Sequence, residues 1–71
     1  MLFRSEAAAA VPALISLLED VDDDVRGYAV RALGRIGPAA RAGAAAISAL
    51  VNDENGAVCE EAATALALIG G

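Results

Sequence analysis

The side chains that could do chemistry in this chain are few. They are the acidic run Glu19-Asp20-Val21-Asp22-Asp23-Asp24, five arginines, one cysteine and one tyrosine, with no histidine anywhere. Asp20, Asp22 and Asp24 stand at the first, third and fifth places of a calcium loop. Such a loop also needs glycine at its sixth place for the sharp turn and a bidentate carboxylate at its twelfth. Here those places hold Val25 and Arg31, and the run leads straight into a helical pattern. The carboxylates therefore read as a solvated turn and helix cap. Cys59, close to a predicted helix start, has the setting of an activated thiolate. Glu60 and Glu61 beside it oppose negative charge on sulfur, and no histidine can deprotonate it. A small packing residue, or one bared at a repeat edge, is the better reading. A single cysteine forms no internal disulfide, and no Cys/His set exists for structural zinc. No catalytic residue, metal site or cofactor is expected, and the chain is not read as an enzyme.

Seventy-one residues allow one small domain. A net charge of −5 disfavours a nucleic-acid partner, because phosphate binding needs clustered cations. The longest uncharged stretch, Ala7 to Leu18, is too short to span a bilayer, so no membrane partner is expected. No basic start followed by an apolar run and cleavage site marks a signal peptide. Nineteen alanines and 18 Leu/Ile/Val residues suit a soluble helical interaction module, and the lone cysteine suits a reducing cytoplasm.

The elements that must position these residues come from an internal repeat. A shift of 33 places aligns Val11–Gly37 with Ala44–Gly70 without a gap, and nine of the 27 pairs are identical. Among them are Leu17/Leu50, Asp20/Asp53, Val25/Val58, Leu33/Leu66 and Gly37/Gly70. Each unit reads as two helices. Val11, Leu14, Ile15 and Leu18 recur at i, i+3, i+4 and i+7, the stripe of an amphipathic helix, with Pro12 in its first turn. That helix should stop near Glu19. Asp22 then caps a second helix with Asp23 and Asp24 in its first turn, where negative charge meets the positive dipole end. Gly37 closes it in a left-handed conformation and Pro38 opens the next. The second unit predicts a helix over 38–51, a cap at Asn55 and a helix over 57–69. Without period-two alternation, strands are not expected.

The units V-P-A-L-I-S-L-L-E-D-V-D-D-D-V-R-G-Y-A-V-R-A-L-G-R-I-G (11–37) and A-A-A-I-S-A-L-V-N-D-E-N-G-A-V-C-E-E-A-A-T-A-L-A-L-I-G (44–70) resemble HEAT-like repeats. More narrowly, they look like the short type of phycobilisome (bilin) lyase subunits and bacterial scaffold proteins. The likeness lies in the V-P-A-L-I opening, the acidic turn, D-V-R at the second helix start and the A-L-G-x-I-G close, and it covers residues 6–70. The second unit departs, with Ala45 in place of the proline and Cys59 in place of the arginine. The resemblance implies an all-α fold: an α-solenoid of two stacked antiparallel helical hairpins, four helices in all. It further implies a protein–protein interaction or scaffold module. The alternatives are a non-catalytic segment of a bilin-lyase-type enzyme and a minimal self-assembling repeat. The ankyrin and tetratricopeptide signatures are missing.

Residues 6–37 form the first repeat and 38–71 the second. Residues 1–5 are read as a non-native or disordered tail, since Leu2-Phe3-Arg4-Ser5 breaks the pattern and is what the end of a common sequencing adapter encodes. Two repeats without polar capping units read as a fragment of a longer array, one able to self-associate through uncapped ends. At 100° per residue, the core face of the second helix is Val25/Ala29/Ala32/Ile36, and the opposite face is Gly27/Arg31/Gly34. Stacked second helices line a solenoid's concave wall, so Arg26, Tyr28, Arg31, Arg35, Glu60 and Thr64 are expected to face a protein partner, with Arg31 near Glu60. For Tyr28, the only tyrosine, inter-helix packing is the favoured reading over a binding anchor. Cys59, Ala63 and Leu68 are expected at the stacking edge, where a third repeat would dock.

Overall fold

A computed structural model describes residues 9–70; the tail expected at 1–5 lies outside them. The described residues form four α-helices: α1 (Val11–Leu17), α2 (Asp23–Ile36), α3 (Ala44–Ala49) and α4 (Gly56–Ile69). Two 3-10 segments, Gly37–Gly43 and Leu50–Asn52, flank α3. No strand occurs among the described residues.

Helical backbone runs through these elements in three uninterrupted stretches, not as the four separate helices expected. The middle one joins α2, the 3-10 segments and α3 without intervening coil. Gly37 explains how the chain reverses there. It adopts φ 79° and ψ −143°, a conformation open only to glycine, and is not the left-handed cap that the sequence suggests. Pro38 and the sharper 3-10 winding then carry the chain round to α3, with Ala40 departing from helical geometry at the kink. Gly70 does take the left-handed cap at φ 94° and ψ 20°.

The caps form as local chemistry dictates. Asp22 Oδ1 accepts from the Asp24 N–H at 2.8 Å, and Asn55 Oδ1 accepts from the N–H groups of Ala57 and Val58 at 2.9 and 3.1 Å. Each satisfies donors that the first helical turn leaves without an intrahelical partner.

α1 packs on α2 and α3 on α4, giving two hairpins, while α2 and α4 make the most extensive pairing between them. Leu33, Ile47, Ile69, Val30 and Val58 are the largest fully buried side chains. These five come from α2, α3 and α4; Val11 of α1 and Leu18 just beyond it join the same core, which ties the hairpins together. The expected face of α2 is only partly correct. Ala29 is buried, but Val25, Ala32 and Ile36 remain partly open, whereas Gly27 and Gly34 on the supposed solvent face are buried. The reason is the close approach of α4. A Cβ added to Gly34 would lie 3.2 Å from both Cα and Cβ of Ala65. Glycine at that point lets the two helix backbones come together.

Candidate protein-interaction surface

The α2–α4 seam creates a concave surface; a larger and more open hollow, of about 690 Å³, lies at the turns of residues 18–21 and 50–54. Small residues on the floor of the seam, Gly34 and Ala65, leave a shallow groove of about 180 Å³ bounded by Arg31, Arg35, Glu61, Thr64 and Leu68. A second hollow of about 190 Å³ continues toward the helix starts, where Asp23, Asp24, Gly27, Tyr28, Asn55 and Glu61 line it. The surface is polarised: carboxylates crowd the end near the helix N-termini, and Arg35 with Leu68 marks the other. Tyr28 and Leu68, 59% and 56% exposed, are among the large apolar side chains that the fold leaves open.

Arg31, Arg35 and Thr64 line this groove. Tyr28 stands at its margin, too exposed to be an inter-helix packing residue. Glu60 is exposed but does not pair with Arg31; the partner is Glu61, whose Oε2 lies 3.8 Å from Arg31 Nε. The rotation of α4 turns Glu61 toward the seam and Glu60 away from it. At that distance and exposure the pair adds little to stability.

Arg26 does not face a partner. Its side chain is 14% exposed, and its Nε and Nη2 donate to the two carboxylate oxygens of Asp53 at 2.9 and 3.1 Å. Its Nη1 donates to the carbonyls of Asp20 and Val21 at 2.8 and 3.2 Å. One guanidinium therefore closes the turn of its own hairpin and grips the turn of the next, a use of its planar fork that lysine would not reproduce. The hydrogen bond from Arg26 and the Asn55 N–H at 2.8 Å hold the Asp53 carboxyl below its ordinary value of 3.8, outweighing desolvation. The same bond raises Arg26 above its usual value. A second tie runs beside it: Asn55 Nδ2 donates to Asp23 Oδ2 at 2.7 Å. Neither Asp53 nor Glu61 stands out as functional in the sequence, although the Asp20/Asp53 identity at the repeat spacing is a signal for the former.

Cys59 occupies the place of Arg26 in the second unit and is half-buried, its Sγ donating to the Val51 carbonyl at 2.9 Å. Ala63 is exposed on α4. Leu68 is not at the expected stacking edge. It lies over the seam, its Cδ1 within 3.4 Å of a Cβ built on Gly34, because α4 is turned to bring it back across α2. The carboxylates of Asp22, Asp23 and Asp24 have oxygens within 4.8 Å of one another and are exposed or half-exposed. Asp22 is engaged as the cap, and Asp20 Oδ1 accepts from the Asp22 N–H at 2.9 Å.

Two like helical hairpins, joined turn to turn by a buried-edge ion pair and presenting a groove between their second helices, define a helical-repeat protein. The chain belongs to the HEAT repeats, whose family pattern matches residues 4–71. Comparison with curated proteins and with solved structures found no significant match. HEAT repeats generally mediate protein–protein interaction. No helix among the described residues is long and apolar enough to cross a membrane.

Proposed function

We propose that this chain is a protein-binding scaffold module of a longer HEAT-repeat array, acting in the cytoplasm without catalysis of its own. Its partner surface is the α2–α4 groove. The observation that carries this reading is the groove itself: a floor kept low by Gly34 and Ala65, with Arg35, Thr64 and exposed Leu68 on its walls. A concave surface with a few convergent polar groups over an apolar floor is what recognition sites share. In a longer array the same groove would run on from unit to unit along a stacked solenoid. The alternatives, a non-catalytic segment of a bilin-lyase-type enzyme or a minimal self-assembling repeat, draw no support from the groove's lining.

Site-specific photo-crosslinking in the native host tests the proposal. A benzophenone side chain at Thr64, inside the groove, should capture a discrete protein partner, and Arg35→Glu should abolish the capture. The same group at exposed Ala49 on α3 should not. Equal capture from Thr64 and Ala49, or capture unaffected by Arg35→Glu, would overturn the groove as the binding surface. Capture and spectral shift with an added linear tetrapyrrole in place of a protein would favour the lyase-type alternative.

A further inference from the structure

The groove between α2 and α4 has a direction. The two helices run parallel, since their first turns line one hollow while Gly34, Arg35, Ala65 and Leu68 line the other. Between the hollows, Arg31 and Glu61 face each other across the seam at 3.8 Å and offset each other's charge. Asp23 is engaged by Asn55 Nδ2. Among the described residues, no side chain reaches the Asp24 carboxylate or the Arg35 guanidinium. The unmatched charges are thus an anion, Asp24, where the helices start and a cation, Arg35, eleven residues further along α2.

The spacing of the hollows is that of a helix. Gly27 lines one and Gly34 the other, seven residues apart on α2, or about 10.5 Å at a rise of ~1.5 Å per residue. Positions i and i+7 of a further helix laid along the seam have the same separation. An extended peptide matches this surface poorly. It needs partners for its own N–H and C=O groups, and α2 and α4 commit theirs to their helical ladders, leaving chiefly the Thr64 hydroxyl. A helix arrives with those groups already paired.

We propose that the partner presents an amphipathic helix lying antiparallel to α2 and α4. Its central aliphatic side chain, at position i, sits over Gly34 and Ala65 beside Leu68. An acidic residue one turn earlier meets Arg35. A lysine or arginine at i+7 runs its apolar stem past Gly27 and Tyr28 and brings its charge to Asp24. Direction follows from charge. Antiparallel docking puts the partner's acid toward its N-terminus and its base toward its C-terminus, where each also suits the partner's own helix dipole. Parallel docking would require the opposite order, which that dipole opposes. The inference rests on the groove being the partner surface and adds the partner's chemistry and direction.

Two alanine-based helical peptides test it. One carries Glu, Leu and Lys in the order described; the other has Glu and Lys exchanged. By fluorescence anisotropy with the whole chain, the first should bind about tenfold or more tightly than the second, a preference that fades with added salt. Asp24→Lys/Arg35→Glu should reverse the preference, with circular dichroism checking helicity. Should that variant unfold, Arg35→Gln alone should weaken binding of the first peptide but not of its Glu→Gln form. Tyr28, the only tyrosine in a chain without tryptophan, reports direction. A nitroxide at the peptide's C-terminus should quench its fluorescence, and one at the N-terminus should not. Equal binding of both peptides, no reversal in the folded double variant, or quenching from the N-terminus would each overturn the inference. So would an Arg35-dependent doubling of the chain's mass in sedimentation equilibrium, which would place a second copy in the groove. Protein capture at Thr64 with no preference between the peptides would overturn the inference while leaving the groove as the binding surface.

Discussion

The closeness of α2 and α4 makes the glycines of the seam a direct test of the packing. Gly27 and Gly34 lie on the same helix, one turn pair apart, and both are buried. Replacing either with alanine gains about 0.8–1 kcal/mol of helix propensity, as glycine loses more backbone freedom on folding. What the new Cβ meets differs. At Gly27 it lies 3.0 Å from Glu61 Oε1, the far end of a flexible side chain that can swing out at the cost of a weak ion pair with Arg31. At Gly34 it lies 3.2 Å from the Cα and Cβ of Ala65, so the α4 backbone itself must retreat. Overpacking of that kind costs about 1–3 kcal/mol. Gly27→Ala should therefore stabilise by up to about 1 kcal/mol. Gly34→Ala should be neutral at best and lose up to about 2 kcal/mol, the gain in propensity set against the overpacking. For a domain of this size 1 kcal/mol moves the midpoint by about 4–8 °C, so Gly27→Ala should melt above Gly34→Ala by that amount for each kcal/mol between them, in thermal melts followed at 222 nm. Gly56→Ala, with no atom within 4 Å of the new Cβ, serves as the propensity-only reference. Gly34→Ala as stabilising as Gly56→Ala would refute the close approach of the two helices.

Asp53 titrates below its ordinary value of 3.8, so its pair with Arg26 adds stability that is complete above that value. It is lost as the pH falls through the folded-state value, where the carboxyl must be protonated. Asp53→Asn should accordingly lower the urea midpoint at neutral pH and approach the wild type as the pH falls through the lowered folded-state value, whereas a constant difference at all pH values would show that the pair contributes no titratable stability. Ile47, fully buried on α3, anchors that short helix in the core. Ile47→Ala should cost about 2–5 kcal/mol, a large share of the roughly 4–11 kcal/mol available to a chain of this size, and a loss below about 1 kcal/mol in denaturant titration would contradict its central place in the core.

The repeat, the starts of α2 and α4 and their caps were legible in the amino-acid sequence, whereas the single helix expected over 38–51 is instead a 3-10 segment to Gly43, the short α3 and a second 3-10 segment. The hydrogen bonds that make Asp22 and Asn55 into caps reach only two or three residues along the chain, so residue type and position suffice to predict them. Gly37 was recognisable as a helix end for the same reason, although not the extended ψ that lets helical winding resume at once. The family resemblance was carried by the same local features, with the repeat spacing. The tertiary structure alone decided which faces meet. Hydropathy assigned Gly27 and Gly34 to solvent because glycine has no side chain to score, yet that lack is what admits α4. Whether Glu60 or Glu61 turns toward Arg31, and whether Leu68 sits on the groove or at the edge, depends on the rotation of α4 about its axis, which packing sets and periodicity does not. Arg26 reads in sequence as one more surface cation. Its role as the tie between hairpins exists only because folding brings Asp53, 27 residues away, within 2.9 Å.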